Sequence, residues 1–115
     1  MHTLEQHVHA QAAVIWVDTW HALIARTDHG RPTVTEVDRE AESEHDYFQR
    51  VALEAEDCDR LMLLGPATTW QAFEREYFTT FRRADRFVEA ETAAPTTPRD
   101  LVERLRQLEP DERRA

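Results

Sequence analysis

Ala12-Ala13-Val14-Ile15-Trp16-Val17, then Asp18-Thr19-Trp20, then His21-Ala22-Leu23-Ile24-Ala25-Arg26-Thr27 is the stretch on which the fold turns. The first six residues are apolar without a break and rich in β-branched side chains. Such a run suits a central strand covered on both faces. Asp18-Thr19 supplies a turn, and His21 to Thr27 makes a second strand. Asp28-His29-Gly30 is the next turn signal, because Asp and Gly adopt tight-turn dihedrals at little cost. Pro32 to Val37 carries Thr and Val, and its Pro suits an edge strand, where a missing N–H is tolerated. Three consecutive antiparallel strands are expected.

Helical spacing takes over at Ser43, whose hydroxyl can cap a helix, with Asp46 three residues on as in a capping box. Tyr47, Phe48, Val51, Ala52 and Ala55 form its buried stripe. Arg60 to Leu64 reads as a buried strand that stops at Gly65-Pro66. Thr68 with Gln71 is a second capping signature, and Trp70, Phe73, Tyr77 and Phe81 share one face of the helix that follows. A short strand is expected from Phe87 to Ala90. Thr97, Pro98 and Asp100 mark the start of a last helix, with Leu101, Val102, Leu105 and Leu108 as its apolar stripe. The order βββ-α-β-α-β-α predicts a single α/β domain. It is a five-stranded mixed sheet with three helices and right-handed crossovers, an arrangement of ribonuclease H-like type. Residues 1–11 read as a flexible arm, 12–109 as the domain and 110–115 as a charged tail.

The chain has 115 residues, enough for one domain and one core, with 41% hydrophobic content. No apolar run approaches the roughly 20 residues of a bilayer span, and no signal segment opens the chain. A single cysteine, Cys58, excludes an internal disulfide and cannot by itself build a thiolate zinc site. A soluble cytoplasmic protein is expected. The formal charge is −9, and it is unevenly placed. Residues 1–59 hold thirteen acids and four arginines, whereas residues 60–115 hold ten of each. The excess is densest at Glu36, Asp38, Glu40, Glu42, Glu44 and Asp46, which face only Arg39. That stretch repels phosphate over a Debye length of about 8–10 Å.

The residues that could carry chemistry each have a plainer reading beside the functional one. Asp18, with Glu44 or Asp46, could begin the carboxylate set of a metal-dependent nuclease, but the acid needed at the end of the fourth strand is replaced by Leu64-Gly65-Pro66. Asp18 therefore reads first as a turn residue. His2, His7 and His9 crowd an arm, while His21, His29 and His45 are scattered and have no nucleophile beside them. Gly65-Pro66-Ala67-Thr68-Thr69 lies at a strand-to-helix transition but lacks the glycines and Lys of a phosphate loop. Arg82, Arg83 and Arg86, interleaved with Phe81 and Phe87, are the best RNA-binding candidates. Arg39 and Trp20 join them as candidate partner-binding residues. Trp16, Trp20 and Trp70 read mostly as core; Trp20 sits at the hairpin turn and, where exposed, becomes an interface anchor, which with the edge strand suggests a homodimer. No catalytic residue, metal or cofactor is assigned.

The order of motifs also carries a resemblance. Ala13-Val14-Ile15-Trp16-Val17-Asp18 with Ala22-Leu23-Ile24-Ala25-Arg26 resembles the opening hairpin of small bacterial release-factor-like proteins. These are labelled translational machinery proteins and are related to the middle domain of eukaryotic and archaeal peptide-chain release factors and Pelota. His45 to Ala52 is similar to their first helix, and Asp59 to Ala67 to their strand ending in Gly-Pro-Gly. Phe73 and Tyr77 fit their next helix, and Pro95-Thr96-Thr97 with Leu101-Val102 fits the start of their last one. The similarity runs from about Val14 to Leu105.

What the resemblance implies is a ribonuclease H-like fold and a ribosome or translation-factor partner. It also shows a departure. Relatives place a Gly-Gly-Gln loop, which positions water at peptidyl-tRNA, between the third strand and the first helix. Here that segment is Asp38-Arg39-Glu40-Ala41-Glu42, the only glycines are Gly30 and Gly65, and Gln49 and Gln71 fall inside predicted helices. The expectation is a stand-alone release-factor-like domain that binds part of the translation apparatus without catalysis. The alternatives are a metal-dependent nuclease or small hydrolase, and an acidic module that binds an Arg-rich protein.

Overall fold

The computed structural model describes residues 11–81 and 87–108. Residues 1–10 of the expected arm and the tail at 110–115 lie outside the described residues. The elements follow the expected order: β1 (Ala12–Val17), β2 (His21–Asp28), β3 (Arg31–Asp38), α1 (Glu44–Leu53), β4 (Arg60–Gly65), α2 (Ala67–Phe81), β5 (Phe87–Thr92) and α3 (Pro98–Leu108). They form a single α/β domain around one five-stranded mixed sheet, in the order β3-β2-β1-β4-β5. The first three strands are antiparallel neighbours, while β1, β4 and β5 run parallel. The expected ribonuclease H-like arrangement is the one observed.

β1 takes the centre because it is apolar at every position, and all six of its residues are buried. Its alternate side chains serve two cores. Ala13, Ile15 and Val17 face α1 and α2 and meet Tyr47, Phe48, Phe73 and Tyr77, with Phe48 and Phe73 edge to face at 5.5 Å. Ala12, Val14 and Trp16 face α3 and meet Leu101, Leu105 and Leu108. The Trp16 indole Nε1 donates to Ala94 O at 3.0 Å, which ties the β5–α3 connection to the sheet. Among the described residues, no helix is long and apolar enough to cross a membrane.

Local chemistry sets the boundaries. His29 and Gly30, both at positive φ (54° and 82°), close the β2–β3 hairpin. Two positive-φ residues give the turn whose twist matches that of the strands. Ser43 caps α1 in an extended conformation, and its Oγ accepts the Asp46 N–H at 3.1 Å. α1 ends at Leu53 rather than running through Ala55. Glu54 N–H and Ala55 N–H tighten onto the carbonyls three residues back, and Ala55 is still buried. Thr97 caps α3 as expected, its Oγ1 accepting Asp100 N–H at 3.1 Å.

The expected cap at Thr68 is displaced. α2 starts at Ala67, and Pro66 O accepts both Thr69 N–H and Trp70 N–H at 3.0 Å. The cause is Gly65, whose φ of +135° turns the chain so sharply that the helix opens two residues early. Gly65 also lies against β1, where a Cβ would sit 2.3 Å from Val17 O.

Candidate functional site

Chemistry-bearing side chains gather at the end of the sheet where β1 turns into β2 and β3 leads into α1. Asp18 Oδ1 accepts the backbone N–H groups of Trp20 and His21, both at 2.8 Å, while Asp18 N–H donates to His21 O at 3.0 Å. The carboxylate thus builds the turn, an Asx arrangement that needs no ligand. Tyr47, fully buried on α1, donates its hydroxyl to Asp18 O at 2.8 Å. Burial holds that phenol far above its ordinary titration range, and the nearby Asp18 charge adds to the effect, so it serves only as a donor.

The β3–α1 connection, residues 39–43, is closed by two arginines. Arg39 N–H donates to Trp20 O at 2.9 Å, which extends the β2–β3 pairing into the loop. Its side chain then doubles back: Nε donates to Glu42 O at 3.1 Å and Nη1 to Thr19 O at 3.4 Å. Arg50, from the second turn of α1, reaches the same loop. It donates through Nε to Glu42 Oε2 at 3.0 Å and through Nη2 to Glu42 Oε1 and Asp38 O, both at 2.5 Å. This paired geometry is the strong form of an Arg–carboxylate bond. The hydrogen bonds from Arg50 hold the Glu42 carboxyl below its usual range, helped by the Arg50 and Arg39 charges, and Arg50 is raised in turn. Glu40 takes a left-handed backbone (φ 43°) to make the bend. That position carries local strain for a residue with a Cβ.

Trp20 stands above this clasp. Its side chain is 64% exposed, and the Arg39 guanidinium lies 5.1 Å from its ring centroid. Two of the five candidate contact residues, Trp20 and Arg39, are therefore adjacent in space. Arg82, Arg83 and Arg86 lie outside the described residues. Trp16 is core as expected, and Trp70 is partly buried against the α1/α2 side.

The other candidates separate. Glu44 and Asp46 are exposed on the first turn of α1, where acids favour the helix dipole. Among the described residues, no three His, Cys, Asp or Glu side chains converge in a way that would hold a metal ion. Asp18, the proposed first ligand of the nuclease alternative, is engaged in its turn. His21 stacks on Trp16 at 5.3 Å and His29 sits in the hairpin turn. His45, one of the scattered histidines of the sequence, has Nδ1 2.5 Å from Glu76 Oε1 and so links α1 to α2. Cys58 is fully buried. Arg50 is not singled out by pattern, and Glu42 only as one acid of the run from Glu36 to Asp46. Helical spacing pairs Arg50 with Asp46 one turn away, and only the fold brings the eight-residue-distant Glu42 into reach.

No protein-family model and no curated protein matches the sequence. Solved structures are similar in fold. Pelota from Thermoplasma acidophilum matches with a TM-score of 0.62 at 18% identity, covering 85% of this chain and 32% of that one. The archaeal translation termination factor aRF1 matches at 0.58 and 15% identity, covering 90% and 37%. Dom34 from S. cerevisiae, a translation termination-like factor involved in RNA quality control pathways and interacting with Hbs1, matches at 0.58 and 8% identity, covering 91% and 35%. The chain thus spans about a third of the length of each. At these identities the likeness is one of fold, and it agrees with the release-factor-like resemblance carried by the sequence motifs.

Proposed function

We propose that this chain is a stand-alone release-factor-like domain that binds a component of the translation apparatus and does not hydrolyse peptidyl-tRNA. The observation that carries the reading is the β3–α1 connection. Release-factor relatives place their Gly-Gly-Gln loop there, and here five residues are folded back and clasped by Arg39 and Arg50. A loop that must reach into RNA needs length and freedom from its scaffold, and this one has neither. The fold neighbours support the translation setting, since Pelota, aRF1 and Dom34 share the architecture. In this reading, contact with RNA falls to Arg82, Arg83 and Arg86, in the half of the chain that carries no net charge.

Co-sedimentation with ribosomes from the host organism across a salt series tests the reading. The chain pellets with ribosomes at low salt and is released as salt rises, because phosphate contacts are strongest when counterions are few. Replacing Arg82, Arg83 and Arg86 together by Ala reduces the pelleted fraction. A chain that stays in the supernatant even at low salt overturns the proposal. In a peptidyl-tRNA hydrolysis assay the expected result is no release above background.

A further inference from the structure

We infer that the end of the sheet around Trp20 is a docking surface for a basic protein segment, one that lays a guanidinium or ammonium group on the open face of the indole. Trp20 is 64% exposed, although nothing in either core uses it. Its orientation is nevertheless fixed twice over. Asp18 Oδ1 holds its N–H at 2.8 Å while its carbonyl accepts Arg39 N–H at 2.9 Å, and the Arg39 guanidinium covers one ring face. Arg39 is itself held by Glu42 O and Thr19 O. A large aromatic presented rigidly to solvent is the usual anchor of a protein interface, because little conformational entropy remains to be lost on binding.

Charge selects the occupant. The strand register places Asp38 opposite His21 and Glu36 opposite Leu23, so the residues flanking Arg39 beside the Trp20 turn are acids. Among the described residues, Glu36, Asp38 and Glu40 form no ion pair through their carboxylates. Glu42 is engaged by Arg50, and Arg39 by backbone carbonyls. With Asp18, Glu36, Asp38, Glu40 and Glu42 set against Arg39 and Arg50, this end of the sheet keeps a net negative rim even with the Arg39 guanidinium on the indole, and such a rim repels phosphate and attracts cationic side chains. An electron-rich ring face with carboxylates beside it is the recognition chemistry of Lys and Arg. A second copy of this chain would bring the same negative rim against itself, so self-association through Trp20 is disfavoured. This inference does not rest on ribosome binding.

The test is fluorescence anisotropy with a labelled peptide of alternating Arg and Gly, titrated with the full chain. A Glu-Gly peptide of equal length and a single-stranded oligouridylate are run in parallel. Only the Arg-Gly peptide binds, and Trp20→Ala weakens it about tenfold or more while the thermal midpoint stays where it was. Trp20→Tyr keeps part of the affinity, and Asp38→Asn with Glu40→Gln weakens binding and flattens its salt dependence. The proposal is overturned if the peptide does not bind, or binds equally well without Trp20. It is equally overturned by Trp20-dependent binding of the oligouridylate, or by a Trp20-dependent dimer in light scattering. Failure here with retained co-sedimentation leaves the ribosome reading standing, and the reverse result removes only that reading.

Discussion

The two strand-to-helix connections on the α1/α2 side are built by opposite means. β4 reaches α2 through Pro66 alone, and the turn is made by backbone: Gly65 at φ +135°, packed against Val17 O. β3 reaches α1 through residues 39–43, and that turn is held by charged side chains, Arg39 and Arg50 closing on Glu42 and nearby carbonyls. Excluded volume fixes the first, where no other residue type fits. Replaceable hydrogen bonds fix the second, which can change its length and chemistry without disturbing the sheet.

The sharpest break of this contrast is Gly65→Ala. A Cβ there meets Val17 O at 2.3 Å, and φ +135° is a region that L-residues rarely adopt. The expected loss is about 3 kcal/mol or more, from backbone strain and overpacking together. Urea unfolding should show a far lower midpoint with the slope unchanged. A midpoint close to wild type would mean that backbone closure at β4–α2 is not the fixed point of the fold.

Tyr47→Phe comes next. The hydroxyl donates to Asp18 O from a fully buried ring, so the variant leaves a carbonyl without its partner. About 1–1.5 kcal/mol should be lost, and the β1–β2 turn, Trp20 included, should loosen. Ser43→Ala removes the α1 cap and is expected to cost about 1 kcal/mol. Both are read by the same unfolding experiment. Neither should approach the effect at Gly65.

What the sequence could announce divides along the same line. The type of each element along the chain, the His29-Gly30 turn and the caps at Ser43 and Thr97 are local, each written within a few residues, and all are legible. The start of α2 was misplaced at Thr68 because a capping pattern there competes with a Gly-Pro turn two residues earlier. The steric demand that decides between them comes from Val17, far away in sequence. The site was legible only in part. Trp20 stood out as a turn aromatic, but its stacking on Arg39 depends on the register between β2 and β3. The clasp from Arg50 to Glu42 spans a strand-to-helix corner, and no helical or strand periodicity encodes such a distance.

Arg50→Ala probes the weaker connection directly. It removes the donors to Glu42 and to Asp38 O, so the 39–43 loop is freed while both cores remain packed. Amide hydrogen exchange should quicken at residues 40–43 and stay unchanged in β1. The urea midpoint moves little, since exposed ion pairs contribute little to global stability. If β1 protection falls in parallel, the loop and the sheet unfold as one unit and the proposed independence of the connection is lost.

The smallest effect, and the most specific to the clasp, is its pH dependence. Glu42 titrates below the ordinary carboxylate range in the folded loop, chiefly because Arg50 hydrogen-bonds to its charged form, with the Arg50 and Arg39 charges adding to this. The open loop therefore binds more protons than the closed one as pH falls. Stabilisation of the clasp is complete above the ordinary carboxylate range and is lost as pH drops through the lowered folded value. Arg50 stays charged throughout, so the change belongs to Glu42. Exchange protection at residues 40–43, corrected for intrinsic rates and referred to β1, should be flat from neutral into mildly acidic solution and then decline. Glu42→Gln should show low protection at every pH, with no such decline. A wild-type profile that stays flat through the whole carboxylate range would mean that the Glu42–Arg50 pairing does not hold the connection shut.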